Sequence, residues 1–327
     1  MKAFAYARAA ALADAQSVRE GARIIAGGTN LLDLMKLEVE TPDQLMDINH
    51  LPLSGIDAHG EGLAIGALVT NSDCAADLRV RHDYPLLAQA ILAGASPQLR
   101  NKATTGGNLC QRTRCTYFTD TTQRCNKRAP GSGCGAQGGY TRLHAILGAS
   151  DACIATYPGD MAVALAALDA QIVVEGVAGE RMVAARDFHR LPADHPEQDN
   201  VLQPGDVITG VRLPAPAGGR HIYRKIRDRS SYAFALVSVA AIVTMANGRM
   251  DRVRIAFGGL AHKPWHDPEV EAALVGQVPD PALFDRAADI LLRDAQGQGS
   301  NDFKIPLVRR ALIATLIEAT SNAPTGA

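Results

Sequence analysis

Arg23-Ile24-Ile25-Ala26-Gly27-Gly28-Thr29-Asn30-Leu31-Leu32 passes from an apolar strand through a glycine pair into a helix. Arg23–Ala26 has the length and content of a buried strand, and Asn30 to Leu37 predicts a short helix. Glycines at such a turn let backbone N–H groups face a pyrophosphate, with Thr29 and Asn30 adding side-chain donors. The spacing is not the G-x-G-x-x-G of a doubly wound dinucleotide site, and a tight strand-to-helix turn without any ligand uses the same residues. A second pair, in Thr104-Thr105-Gly106-Gly107-Asn108, raises the odds that both grip one dinucleotide.

Five of the six cysteines follow that second pair: Cys110, Cys115, Cys125, Cys134 and Cys153, with Cys74 alone upstream. Their spacing, Cys-x4-Cys-x9-Cys-x8-Cys-x18-Cys, contains no C-x2-C knuckle, which argues against a zinc ribbon or finger. A [4Fe–4S] cluster needs four thiolates and tolerates long intervals. Between Cys110 and Cys134 lie Arg112, Arg114, Arg124, Lys127 and Arg128 against one acid, Asp120. They would stabilise an anionic cluster and raise its potential, or form a solvated face or a dock for an acidic partner. From Cys110 to Cys153 no period of two or 3.6 is sustained, so an irregular loop is expected, with cysteine ligation as its staple.

A chain of 327 residues exceeds one ordinary core. With 47% hydrophobic and 20% charged residues it describes a soluble globular protein. A net charge of −1 and 5% aromatic content argue against nucleic acid or an anionic membrane as partner. No apolar stretch approaches the ~20 residues that span a bilayer, and Met1–Ala13 lacks the pattern of a secretion signal.

Further strands are predicted at Gln44–Asp47, Leu63–Gly66, Gln171–Glu175 and Asp206–Leu213, and helices at Leu86–Ala93 and Met161–Leu168. Another helix opens near Ser72 as N-cap. Pro214–Gly219 is the clearest linker, and Asn247-Gly248 joins the apolar strands Ala235–Met245 and Arg252–Phe257 in a hairpin. Pro281–Leu292 and Ile305–Glu318 close the chain as helices, and Ser321–Ala327 is expected to be disordered. The domains drawn are 1–216, divided into 1–55 and 56–216 with an insertion at 110–153, and 217–327. Cys74 fits a core position, Trp265 a packing anchor, and neither His144 nor His262 has a helically spaced partner for a metal.

Ala26–Leu32, Arg100–Asn108, Pro158-Gly159-Asp160-Met161-Ala162, Tyr223-Arg224-Lys225 and Phe257–Trp265 together resemble the FAD-binding subunits of molybdenum hydroxylases, relatives of xanthine dehydrogenase and carbon monoxide dehydrogenase. The resemblance covers essentially the whole chain. It is nearest to the branch whose FAD subunit also carries a [4Fe–4S] cluster, the periplasmic aldehyde oxidoreductases. It implies an α+β chain: a two-subdomain FAD-binding fold of the PCMH (vanillyl-alcohol-oxidase-like) type, then a C-terminal domain of antiparallel sheet and helices. Ile25, Ala26, Gly27, Gly28, Thr29, Asn30, Leu31 and Leu32 would hold the FAD pyrophosphate, met from the other side by Thr105, Gly106, Gly107 and Asn108. Asp160 would contact FAD, although it also fits an N-cap; Ile208 would lie against the flavin and Lys225 would be a cation beside it. Where the family more often has Ser, this chain has Gly159. That branch has leucine at the position of Cys110, so the implied cluster ligands are Cys115, Cys125, Cys134 and Cys153.

The implied function is electron transfer. A large partner with a molybdenum cofactor would oxidise an aldehyde, a small [2Fe–2S] partner would relay electrons, and this chain would pass them through FAD to an external acceptor. Export to the periplasm would depend on a signal carried by the small partner, with the cytoplasm as the alternative. Rivals are a xanthine dehydrogenase subunit, a subunit of a hydroxybenzoyl-CoA-type aromatic thioester reductase, a self-sufficient flavin oxidoreductase, and a non-enzymatic module holding structural zinc.

Overall fold

The computed structural model describes residues 1–321, so all but the first residue of the expected disordered tail lies outside the described residues. β1 (Ala5–Arg8), β2 (Ala22–Ile25) and β3 (Gln44–Asp47) form a parallel sheet in the order β1-β3-β2. Parallel neighbours need crossovers, and the helices Leu12–Gln16 and Leu31–Lys36 provide them. Asp47 accepts hydrogen bonds from the Tyr6 phenol and from Asn49, whose Nδ2 also donates to the Ala26 carbonyl at 3.0 Å. The first glycine turn is thereby fastened to the end of its sheet.

β4 (Ile56–His59), β5 (Gly62–Gly66), β6 (Gln171–Gly176), β7 (Gly179–Ala184) and β8 (Val207–Leu213) form an antiparallel sheet, ordered β4-β5-β8-β6-β7. Its core is filled by the helices Asn71–Ala76, Pro85–Ala93 and Asp160–Ala167. Every residue of the last is buried, so it is a central helix, and an acid at its start must find partners inside the protein. The helix expected to be capped by Ser72 is capped by Thr70, whose hydroxyl accepts from the Asp73 N–H at 3.1 Å.

β9 (Arg220–Ile226), β10 (Val237–Ala246) and β11 (Arg249–Gly258) pair antiparallel in the order β11-β10-β9. Asn247 and Gly248 turn the hairpin with φ of 52° and 74°, the left-handed pair that a type I′ turn requires. Val237, Val239, Ala241 and Val243 face a core closed by the helices Pro268–Leu274, Pro281–Leu292 and Lys304–Thr320, whereas Ala240 and Ile242 join the core of the middle sheet. A strand buried on both faces reads as a continuous apolar run, which is why its sequence does not alternate. Among the described residues no helix is long and apolar enough to cross a membrane.

Between Leu109 and Asp160 the one helix is Thr116–Thr119. This segment is irregular as expected, and ion pairs and hydrogen bonds staple it. Arg112 pairs with Glu40 and, at 2.7 Å, with Asp199; Lys127 reaches Asp199 at 2.6 Å. Arg128 donates to the Tyr117 and Phe118 carbonyls at 3.0 and 2.7 Å. Three of the five basic residues are therefore neither solvated nor free to dock a partner; they hold the loop's own shape.

Candidate cofactor sites

The two glycine loops meet around one cavity of about 190 Å³. Ile25 through Leu31 form one wall, and Thr104, Gly107, Cys110 and Arg112 form another. Contact between the loops depends on Gly27: a Cβ there would overlap the Lys102 carbonyl oxygen and lie 2.9 Å from its carbon. Gly28 turns the chain at φ +71°, a conformation that other residues rarely adopt. Among the described residues, nothing accepts from the backbone N–H groups of Gly27 through Leu31. Asn30 accepts from the Arg112 N–H at 2.9 Å, yet its own Nδ2 is buried without a partner. A row of unspent donors beside a cavity suits an anion, and it fits the pyrophosphate of FAD.

Other expected FAD contacts are placed differently. Thr105 is buried and its hydroxyl donates to the Val69 carbonyl at 3.1 Å; Asn108 Nδ2 donates to Asn71 at 3.0 Å. Thr105, Gly106, Asn108 and Leu32 are not in the cavity wall, where Thr104 and Gly107 are. Ile208 sits in β8 opposite Val174, inside the main core and likewise away from this wall. Cys110, outside the implied ligand set, is exposed and faces the cavity.

Asp160 is the first residue of its helix, and Gly159 is the N-cap, so the capping role expected for the aspartate is not seen. Its carboxylate accepts from the Tyr223 hydroxyl at 2.6 Å and pairs with Lys225 at 2.8 Å, with side-chain exposures of 8% for Asp160 and 4% for Lys225. Lys225 is thus a buried cation, not a solvated strand lysine. Burial and the Asp160 charge raise the Tyr223 phenol well above its usual range, which keeps it a donor. A second, smaller cavity joins Asp160 to Arg114, Cys115, His144, Tyr157 and Gly259. The Tyr157 ring explains Gly159: a Cβ there would lie 2.6 Å from the ring carbon Cε1, so serine does not fit.

Cys115, Cys125, Cys134 and Cys153 line one small cavity, and Cys110 is not among its lining residues. Cys125 and Cys134 are brought opposite each other by an antiparallel bridge, and Ser150 pairs with Cys153 in another. Burial pushes the Cys115 and Cys153 thiols up, to about 12 and about 11, so a metal would have to displace their protons. Among the described residues no three Cys, His, Asp or Glu side chains converge closely enough for a single metal ion. Zinc would need its sulfurs drawn within about 4 Å of one another, given Zn–S bonds of about 2.3 Å. A larger iron–sulfur unit suits four cysteines spread around a common cavity.

Two histidines missed by the sequence reading point into this cluster of thiols. His144 Nε2 lies 3.1 Å from Cys115 Sγ, and His262 Nε2 lies 3.3 Å from Cys153 Sγ. Burial lowers both imidazoles, to about 4 and about 3, so the rings are neutral near pH 7. The signal available was proximity in space, which neither periodicity nor spacing carries. Trp265 packs against the C-terminal core, as an anchor would.

A pair of glycine loops around one cavity, a buried Asp–Lys pair and an α+β architecture agree with a family match across the chain. Residues 2–216 match the FAD binding domain in molybdopterin dehydrogenase, and residues 221–319 match the CO dehydrogenase flavoprotein C-terminal domain. The chain belongs to the FAD-binding subunits of the molybdenum hydroxylase family and has the PCMH-type fold; it is an oxidoreductase subunit. It is 53% identical to the aldehyde oxidoreductase FAD-binding subunit PaoB of Escherichia coli K12, over 99% of this chain and 100% of that one. The glyceraldehyde dehydrogenase medium chain of Sulfolobus acidocaldarius is 27% identical over 93% of this chain and 89% of its own length. A carbon monoxide dehydrogenase from Hydrogenophaga pseudoflava superposes with a TM-score of 0.77 at 25% identity, covering 97% of both chains.

Proposed function

We propose that this chain is the electron-transfer subunit of a molybdenum-dependent aldehyde oxidoreductase, carrying FAD and a [4Fe–4S] cluster. Its partners would be a large molybdenum-cofactor subunit and a small [2Fe–2S] subunit, and electrons would leave for an external acceptor. The observation that carries the reading is Cys115: it lines the cavity shared by all four assigned cysteines and also the cavity that reaches Asp160. One wall therefore separates the candidate iron–sulfur site from the candidate flavin site. The 53% identity to an aldehyde oxidoreductase subunit supports the substrate class.

When bound, FAD and the cluster supply the redox chemistry; the chain's residues hold and orient them. Gly27 through Leu31 would meet the pyrophosphate with backbone N–H groups. Lys225 and Tyr223 fix the Asp160 carboxylate, and the apolar lining around the cysteines would limit access of water to the thiolates. The reading extends to periplasmic export with a signal-bearing partner, which cell fractionation checks.

The test is cofactor content in the purified complex. Cys153→Ala should lose iron and acid-labile sulfide while retaining FAD, and Cys110→Ala should keep both. Iron lost from Cys110→Ala and kept by Cys153→Ala would overturn the ligand set. A wild-type complex with zinc and no visible absorption beyond the flavin would overturn the cluster itself.

A further inference from the structure

Both Nε2 atoms that face cysteine sulfurs belong to buried histidines whose Nδ1 atoms have no partner among the described residues. With Cys115 and Cys153 as thiolate ligands of the proposed cluster, sulfur can only accept, and that selects the tautomer. A proton on Nδ1 would leave a buried N–H unmatched and aim the Nε2 lone pair at the lone pairs of sulfur. With the proton on Nε2, the ring donates to sulfur and leaves only an unmatched acceptor behind. The rings are also held from outside the cysteine segment. Lys304 Nζ and Asn301 Nδ2 donate to the His144 carbonyl at 2.9 and 3.0 Å, and Lys304 also donates to Gly259 at 2.8 Å. Leu260 and Ala261, just before His262, accept from the Ile146 and Tyr157 N–H groups at 2.9 and 3.0 Å.

We propose that His144 and His262 are positioning residues that donate N–H···S hydrogen bonds to Cys115 and Cys153 and thereby raise the reduction potential of the cluster. This rests on the cluster reading above. Reduction adds negative charge that spreads onto the thiolate sulfurs, and a fixed N–H dipole in a water-poor cavity stabilises the charged form more than the oxidised one. The donors are uneven: among the described residues no side chain donates to the sulfurs of Cys125 or Cys134. His144 also lines the cavity that reaches Asp160, so the donor at Cys115 stands on the flavin-facing side.

The experiment is a potentiometric titration of the cluster's electron paramagnetic resonance signal in the whole complex, with iron and FAD content measured alongside. His144→Leu and His262→Leu should each shift the reduction equilibrium by about tenfold toward the oxidised form, about 59 mV lower for a one-electron couple. His144→Gln, which keeps an N–H donor, should recover part of the shift. Unchanged potentials in both leucine variants, with iron retained, would overturn the inference and leave the cluster reading standing. Absence of a cluster signal from the wild-type complex would overturn the cluster reading instead. Should the leucine variants not load iron, wild-type protein labelled with ¹⁵N-histidine decides by pulsed spectroscopy: two weakly coupled histidine nitrogens are expected, and none would refute the proposal.

Discussion

Gly27→Ala is the sharpest perturbation of the flavin site. The added Cβ would overlap the Lys102 carbonyl oxygen and sit 2.9 Å from its carbon and 3.2 Å from the Ala103 Cα. Ordinary contact begins at 3.4 Å and every neighbour is backbone, so one glycine loop must retreat from the other by more than an ångström. Overpacking of this kind costs about 1–3 kcal/mol. Its effect falls on the gap across which both loops would grip one pyrophosphate. Losing the geometry of one wall should weaken FAD binding at least tenfold, about 1.4 kcal/mol. Flavin-depleted complex titrated with FAD, followed by quenching of flavin fluorescence, reads this directly, with circular dichroism to confirm the fold. Gly131→Ala is the control: φ there is +84° and nothing lies within 4 Å of the new Cβ, so it introduces backbone strain without touching the loops. Wild-type affinity in a folded Gly27→Ala, or an equal loss in Gly131→Ala, would refute the reasoning.

Asp199→Asn should destabilise the protein by about 3 kcal/mol, since it leaves Lys127, whose side chain is 1% exposed, without its counter-charge. A thermal midpoint lower by roughly 4–6 °C is expected, and a shift under about 2 °C would contradict the pairing. The same carboxylate sets an acid limit. Burial opposes its ionisation, but Lys127 and Arg112 outweigh burial and hold it below the usual carboxylate range. Its stabilisation is complete above the unfolded pKa and is lost as pH falls through the lower folded value. Urea midpoints should therefore fall below about pH 4 in the wild type and less steeply in Asp199→Asn; parallel profiles would count against it.

Where order came from local chemistry, the sequence was enough. Gly27 and Gly28 mark a real strand-to-helix turn, Asn247-Gly248 turns a real hairpin, and the helix Pro281–Leu292 starts at its first-turn proline. What spacing could not carry was partnership across the fold. Asp160 was one residue from being an N-cap, and that one residue turned its carboxylate toward Tyr223 and Lys225. The basic run after Cys110 looked unpaired because its acids, Glu40 and Asp199, lie 72 or more positions away from Arg112 and Lys127. His262 reaches Cys153 across 109 positions. β8, late in the chain, enters the sheet between β5 and β6, an order that strand patterns do not encode.

Arg112 touches everything at once. Its backbone N–H holds Asn30 of the first glycine loop, its guanidinium joins Glu40 to Asp199, and its side chain stacks on Phe118, 4.7 Å from the ring centroid. Phe118 in turn packs with Cys125 and with Leu34, which follows that same glycine loop. Occupancy of either cofactor site would stiffen this shared hub, and thermodynamic linkage makes such an effect mutual. On the proposed reading, in which both sites are filled, whichever cofactor arrives first would tighten the second without being required for it.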